Sequence, residues 1–106
     1  MVASTFTIPA YQPRVRLNYW RGRERLASGD YKAAIDSFNR TTSDPGLRQF
    51  HRFEYVRGLY YTAQAYEKSG DATNAREFYG RFVRYWKNAD IDRDKVTEAL
   101  KKAATS

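Results

Sequence analysis

Apolar residues along this chain recur at helical spacing. Tyr31, Ala34, Ile35 and Phe38 stand at i, i+3, i+4 and i+7, one face of an α-helix. Ala75, Phe78, Tyr79, Phe82, Val83 and Trp86 repeat the arrangement on a broader stripe. Val96, Ala99, Leu100 and Ala103 form a further apolar face, predicted to be buried, with Glu98, Lys101 and Lys102 on the wet side. No stretch alternates with the period that a half-buried strand requires. The pattern predicts an all-α fold of five helices.

Glycine, proline and aspartate punctuate those helices. Residues 1–13, with Pro9 and Pro13 among Ser and Thr, read as an extended N-terminal arm. A first helix spans about 14–28 and stops at Gly29, whose missing Cβ suits a helix C-terminus. Asp30 follows, placed to accept from the unpaired N–H groups that open the second helix. "TTSDPG", 41–46, reads as a turn. A third helix covers about 47–69, Gly70 ends it, and Asp71 caps the fourth. The last begins near Arg93. The helical domain is therefore 14–104, with hairpins at about 14–42 and 47–88 and a capping helix at about 93–104.

The punctuation is duplicated. "SGDYKAAIDSF" at 28–38 is echoed by "SGDATNAREFY" at 69–79, 41 residues later. Each copy is a helix, a Gly-Asp turn and a second helix, and neither hairpin can bury its apolar face alone. The two must stack, with the fifth helix over the exposed end. Gly22, Gly29, Tyr31, Ala34, Ile35 and Phe38 in the first copy, with Ala63, Tyr66, Gly70, Ala75 and Tyr79 in the second, resemble the tetratricopeptide repeat (TPR) family. The resemblance covers about 14–88 and implies a fragment of right-handed α–α superhelix. It places the small residues at 22, 34, 63 and 75 where helices cross, and the aromatics at 38 and 79 between hairpins. Arg25 stands where the second copy has Tyr66, and Ala72 replaces the aromatic found at Tyr31. The 41-residue period exceeds the family's, about 34, by close to two helical turns. The tail, with Tyr79, Phe82, Trp86, Ala89, Asp90, Val96 and Ala99, is similar to the closing segment of such arrays in large bacterial regulatory proteins.

Composition narrows the chemistry. At 106 residues, 42% hydrophobic and 29% charged, the chain makes one folded domain. The absence of cysteine removes disulfides, thiol nucleophiles and thiolate metal sites, and fits a reducing compartment. No apolar run approaches the roughly 20 residues of a membrane helix. The N-terminal stretch lacks the basic and continuous apolar regions of a signal peptide, so the expected location is cytoplasmic. His51 is the only histidine and has no partners at ligand spacing. "DIDRD", 90–94, starts like a calcium loop but carries Lys95 and Lys101 where glycine and a bidentate acid are required. Its aspartates are read as capping and first-turn charges. No cofactor, metal or catalytic residue is assigned, and the chain is not read as an enzyme.

Charge supplies the functional expectation. The net charge is +7, concentrated in "RVRLNYWRGRER" at 14–25, which points to an acidic partner. The TPR resemblance implies that the first helix of each hairpin lines a concave face. It places Arg16, Tyr19 and Arg23 there from the first helix, and their equivalents Arg57, Tyr60 and Gln64 from the third. Arginine and tyrosine together suit an acidic or aromatic-bearing peptide. The alternative for Tyr19 and Tyr60 is that they complete the core. The expectation is a non-enzymatic adaptor or scaffold that binds a protein or acidic peptide, set in a homo-oligomer or a larger assembly. Nucleic-acid binding through arginine and aromatic side chains is one alternative function. A structural subunit docked through its N-terminal arm is the other.

Overall fold

The computed structural model describes residues 13–43 and 51–104, and is all-helical across them. Five helices follow in order: α1 (Pro13–Ala27), α2 (Tyr31–Thr42), α3 (Arg52–Lys68), α4 (Ala72–Trp86) and α5 (Arg93–Ala104). No strand occurs among the described residues. Pro13, expected in the arm, is the first residue of α1, where a missing N–H costs no helical bond. Thr41 and Thr42, expected in a turn, continue α2. The rest of the expected arm, the Asp-Pro-Gly of the turn, and the expected start of the third helix at 47 lie outside the described residues.

The same bonds close both Gly-Asp turns. Gly29 and Gly70 have φ of 88° and 94°, the left-handed region that glycine enters without a Cβ clash. The Asp30 N–H donates to the Arg25 carbonyl at 2.9 Å, and the Asp71 N–H to the Tyr66 carbonyl at 2.8 Å. Asp30 then accepts from the Ala33 N–H, and Asp71 from the Asn74 N–H. The backbone and side-chain bonds from Asn74 hold the Asp71 carboxyl below the usual range. Behind the turns the chemistry diverges. Arg25 donates to Ser37 Oγ at 2.6 Å, whereas the equivalent pair, Tyr66 and Phe78, packs ring on ring with centroids 5.5 Å apart. Arg25 therefore departs from the second copy together with its contact partner.

Each helix packs on the next in the chain, and α1 also reaches α3. Tyr19, Ala34, Phe38 and Ala65 form one apolar cluster between α1, α2 and α3. A larger one joins α3, α4 and α5 through Leu59, Ala63, Tyr79, Phe82, Trp86 and Ala99. The helix α5 buries Val96 and Ala99, but Leu100, expected on that face, is 40% exposed. Because α5 packs against one side only, its buried stripe is narrower than the apolar pattern.

Gly22 is the most tightly enclosed of the described glycines. A Cβ there would lie 2.6 Å from a ring carbon of the wholly buried Phe38. Gly80, on the outer side of α4, has no neighbour within 4 Å of the same position. We expect Gly22→Ala to lower the unfolding free energy by about 1–2 kcal/mol, because overpacking outweighs the gain in helix propensity. Gly80→Ala should raise it by about 0.5–1 kcal/mol. Urea unfolding followed by circular dichroism checks both.

Candidate functional site

The six residues expected on the concave face divide into three groups. Tyr19 and Tyr60 are 2% and 4% exposed, so their rings belong to the core and a partner cannot lie against them. The physical reason is that each helix carries adjacent aromatics, Tyr19 with Trp20 and Tyr60 with Tyr61, and packing turns the first of each pair inward. Burial raises the Tyr19 hydroxyl above its ordinary value. Arg16 lies on α1, but its side chain is outside the described residues. Arg23, Arg57 and Gln64 are half-buried along α1 and α3.

Arg23 bridges the two helices. Its guanidinium sits 4.4 Å from the ring centre of Tyr61 on α3 and 5.6 Å from that of Trp20, one turn back on α1. Tyr61 is in turn seated edge-on against Tyr19 and stacked on Phe38, with planes 19° apart. A cation over an aromatic face is held by the ring quadrupole, worth about 0.5–2 kcal/mol depending on exposure. Among the described residues no carboxylate pairs with Arg23. Sequence reasoning missed Tyr61 and Trp20, although they stand 41 residues apart like the other repeat positions.

Arg57 is committed within the fold. Its guanidinium grips Asp92 with both edges, Nε to Oδ2 at 2.8 Å and the second contact at 3.3 Å. The ring centres of Phe53 and Trp86 lie within 5.7 Å. The bond to Asp92 raises the Arg57 pKa, so its charge is secure. Asp92 has φ 51°, a left-handed conformation uncommon for a residue with a side chain. Its carbonyl accepts from the Val96 N–H to open α5, while its carboxylate goes to Arg57. The "DIDRD" aspartate therefore serves an ion pair across the fold, where capping and first-turn charges were expected.

Gln64 belongs to a polar latch under α5. It donates to the Tyr60 hydroxyl, which donates to Glu98 at 2.6 Å. Lys102 reaches both Glu98 and Glu67 at 2.8 Å, and the Tyr79 hydroxyl completes the network on Glu67. Burial and then the bonds to Glu98 and Glu67 push the Tyr60 and Tyr79 hydroxyls far above the ordinary tyrosine value. Burial alone would raise Glu98, but bonds from Lys102 and Tyr60 bring it below its usual range. Burial likewise opposes, and the two carboxylates outweigh it in raising, the Lys102 pKa.

No family model, curated protein or solved structure matches the chain. No helix among the described residues is long and apolar enough to cross a membrane. Nor do three or more His, Asp or Glu side chains among them gather as a metal-ion site.

The latch sets a pH dependence. Tyr60 and Tyr79 have raised values in the fold, so their contribution is whole below the ordinary value of 10.0 and falls as pH climbs above it. Lys102 acts in the same direction, whereas the Glu98 contribution is lost on the acid side, as pH falls below 4.5 through its lowered value. Between about pH 9 and pH 11 the unfolding free energy should fall by about 1.4 kcal/mol for each tyrosine kept neutral in the fold. Tyr79→Phe retains the ring, as Phe38 does in the first copy, and should reduce the alkaline loss by that amount. An unchanged loss in urea titrations of this variant would contradict the assignment.

Proposed function

We propose that the protein is a non-enzymatic helical-repeat scaffold of the TPR kind, which holds an acidic segment of a partner protein along the face between α1 and α3. One observation carries the reading: Arg23 is fixed over Tyr61 at 4.4 Å, beside an exposed Trp20, with no carboxylate of its own among the described residues. A guanidinium has five N–H donors in a rigid fork, matched to a carboxylate. The ring beneath it restricts the side chain before a ligand arrives, which lowers the ordering cost of binding. The duplicated Gly-Asp hairpin supports the repeat arrangement in this reading. The N-terminal copy holds the receptive cation, because the second copy has Gln64 at the position of Arg23 and its own arginine, Arg57, is already paired with Asp92.

Fluorescence anisotropy with a short labelled peptide of alternating Glu and Tyr, its Gln counterpart and an oligothymidylate tests this reading. The Glu peptide should bind, and Arg23→Ala should weaken it about tenfold, the equivalent of about 1.4 kcal/mol. Equal binding of the Gln peptide would sink the proposal. Tighter binding of oligothymidylate, falling steeply with salt, would replace it with nucleic-acid recognition.

A further inference from the structure

The 41-residue register aligns the first helix of each hairpin, and it extends to α5. On α3, Gly58, Tyr61, Thr62 and Ala65 form a stripe at i, i+3, i+4 and i+7 that is turned from solvent. This stripe seats α3 on α2. The Gly58 Cα approaches so closely that a Cβ there would touch Thr42 and Thr41, and Tyr61 stacks on Phe38. Moved forward by 41 residues the stripe becomes Ala99 and Lys102 on α5, which rest on α4: Ala99 is fully buried and the Lys102 ammonium lies 5.4 Å from the Tyr79 ring centre. Lys102 thus meets Tyr79 as Tyr61 meets Phe38.

Moved back by 41 residues the stripe becomes Leu17, Trp20, Arg21 and Glu24 on α1, and all four are exposed. Leu17 is 45% and Trp20 52% exposed, two of the largest apolar exposures in the described chain. The positions by which α3 and α5 each rest on a preceding helix are therefore filled on α1 by Leu17, Trp20, Arg21 and Glu24, and no helix among the described residues covers them. We propose that this end face is a docking site for an acidic amphipathic helix of a partner protein, seated over the α1 positions that on α3 receive α2, with Leu17 and Trp20 as the apolar contacts in place of the close approach at Gly58.

The occupant's chemistry follows from the two internal examples. Each covering helix offers a small residue and, four positions on, an aromatic: Ala34 and Phe38 on α2, Ala75 and Tyr79 on α4. Charge selects an acidic helix, because 14–25 carries five arginines against Glu24. A second copy is a poor occupant. Its α2 is covered by α3 and its α4 by α5, and α4 would bring Arg76, Arg81 and Arg84 toward a basic surface. This site shares Trp20 with the α1–α3 face, but it is argued from Leu17, Arg21 and Glu24 as well and does not rest on the reading of that face.

The test uses the full chain, isotopically labelled, titrated with a peptide of residues 30–43 carrying Lys32→Glu and Arg40→Glu. Both substituted positions are exposed on α2, so its packing stripe is kept. The amide signals of Leu17, Trp20, Arg21 and Glu24, and the Trp20 indole N–H, should shift saturably. Phe38→Ala in the peptide, or Leu17→Glu in the protein with its unfolding midpoint unchanged, should weaken binding at least about tenfold. Absence of shifts at millimolar peptide overturns the proposal, as does equal binding by the Phe38→Ala peptide, which would show attraction by charge alone. Shifts gathered at Arg23 and Gln64 instead would assign the peptide to the groove and also overturn it. Sedimentation of the chain alone covers the remaining case: self-association abolished by Leu17→Glu would make a second copy the occupant.

Discussion

One buried aromatic on the second helix of each hairpin joins three helices at once. Phe38 is closed in by Gly22 on α1 and by the stacked ring of Tyr61 on α3. Tyr79 meets Tyr60 on α3 and the Lys102 ammonium on α5. Fully burying such a side chain is worth about 1.5–3 kcal/mol, and here it is realised only when the next helix arrives. The hairpins are consequently not independent. α3 is both the cover of the first and the opening helix of the second, so the stack forms around it.

The same dependence explains why the two copies differ in chemistry. At the second copy, α5 and the link before it deliver Asp92 to Arg57 and Glu98 to Tyr60, which uses up the polar groups of that face. At the first copy no carboxylate among the described residues reaches Arg23, which rests on Tyr61. A basic surface with an ordered cation is left there, beside the uncovered outer stripe of α1. Charge that was spread along one sequence segment is thus concentrated at one end of the fold.

Helix limits were legible because their causes are local. Gly29 and Asp30 act on residues within one turn, and the same is true of Gly70 and Asp71. Of the small residues expected at crossings, Ala34 and Ala75 fall on the apolar stripes, whereas Gly22 and Ala63 were placed there by the TPR resemblance alone. The candidate site was less legible. Helical spacing alone does not choose between Tyr19 and Trp20, or between Tyr60 and Tyr61, because neighbouring residues differ by only about 100° around the axis. Packing against α2 and α4 made the choice. Arg57 and Asp92 were both visible, but they stand 35 residues apart, and nothing short-range links them.

The amino-acid sequence by itself determined the all-α class, the order of five helices, the two Gly-Asp turns and the duplication, since each follows from periodicity or from a cap of a few residues. Only the tertiary structure decided which tyrosines are core, which arginine is paired and which helix keeps an open face. Those outcomes depend on what a neighbouring helix covers, and cover is a property of pairs of helices that no single stretch of chain contains.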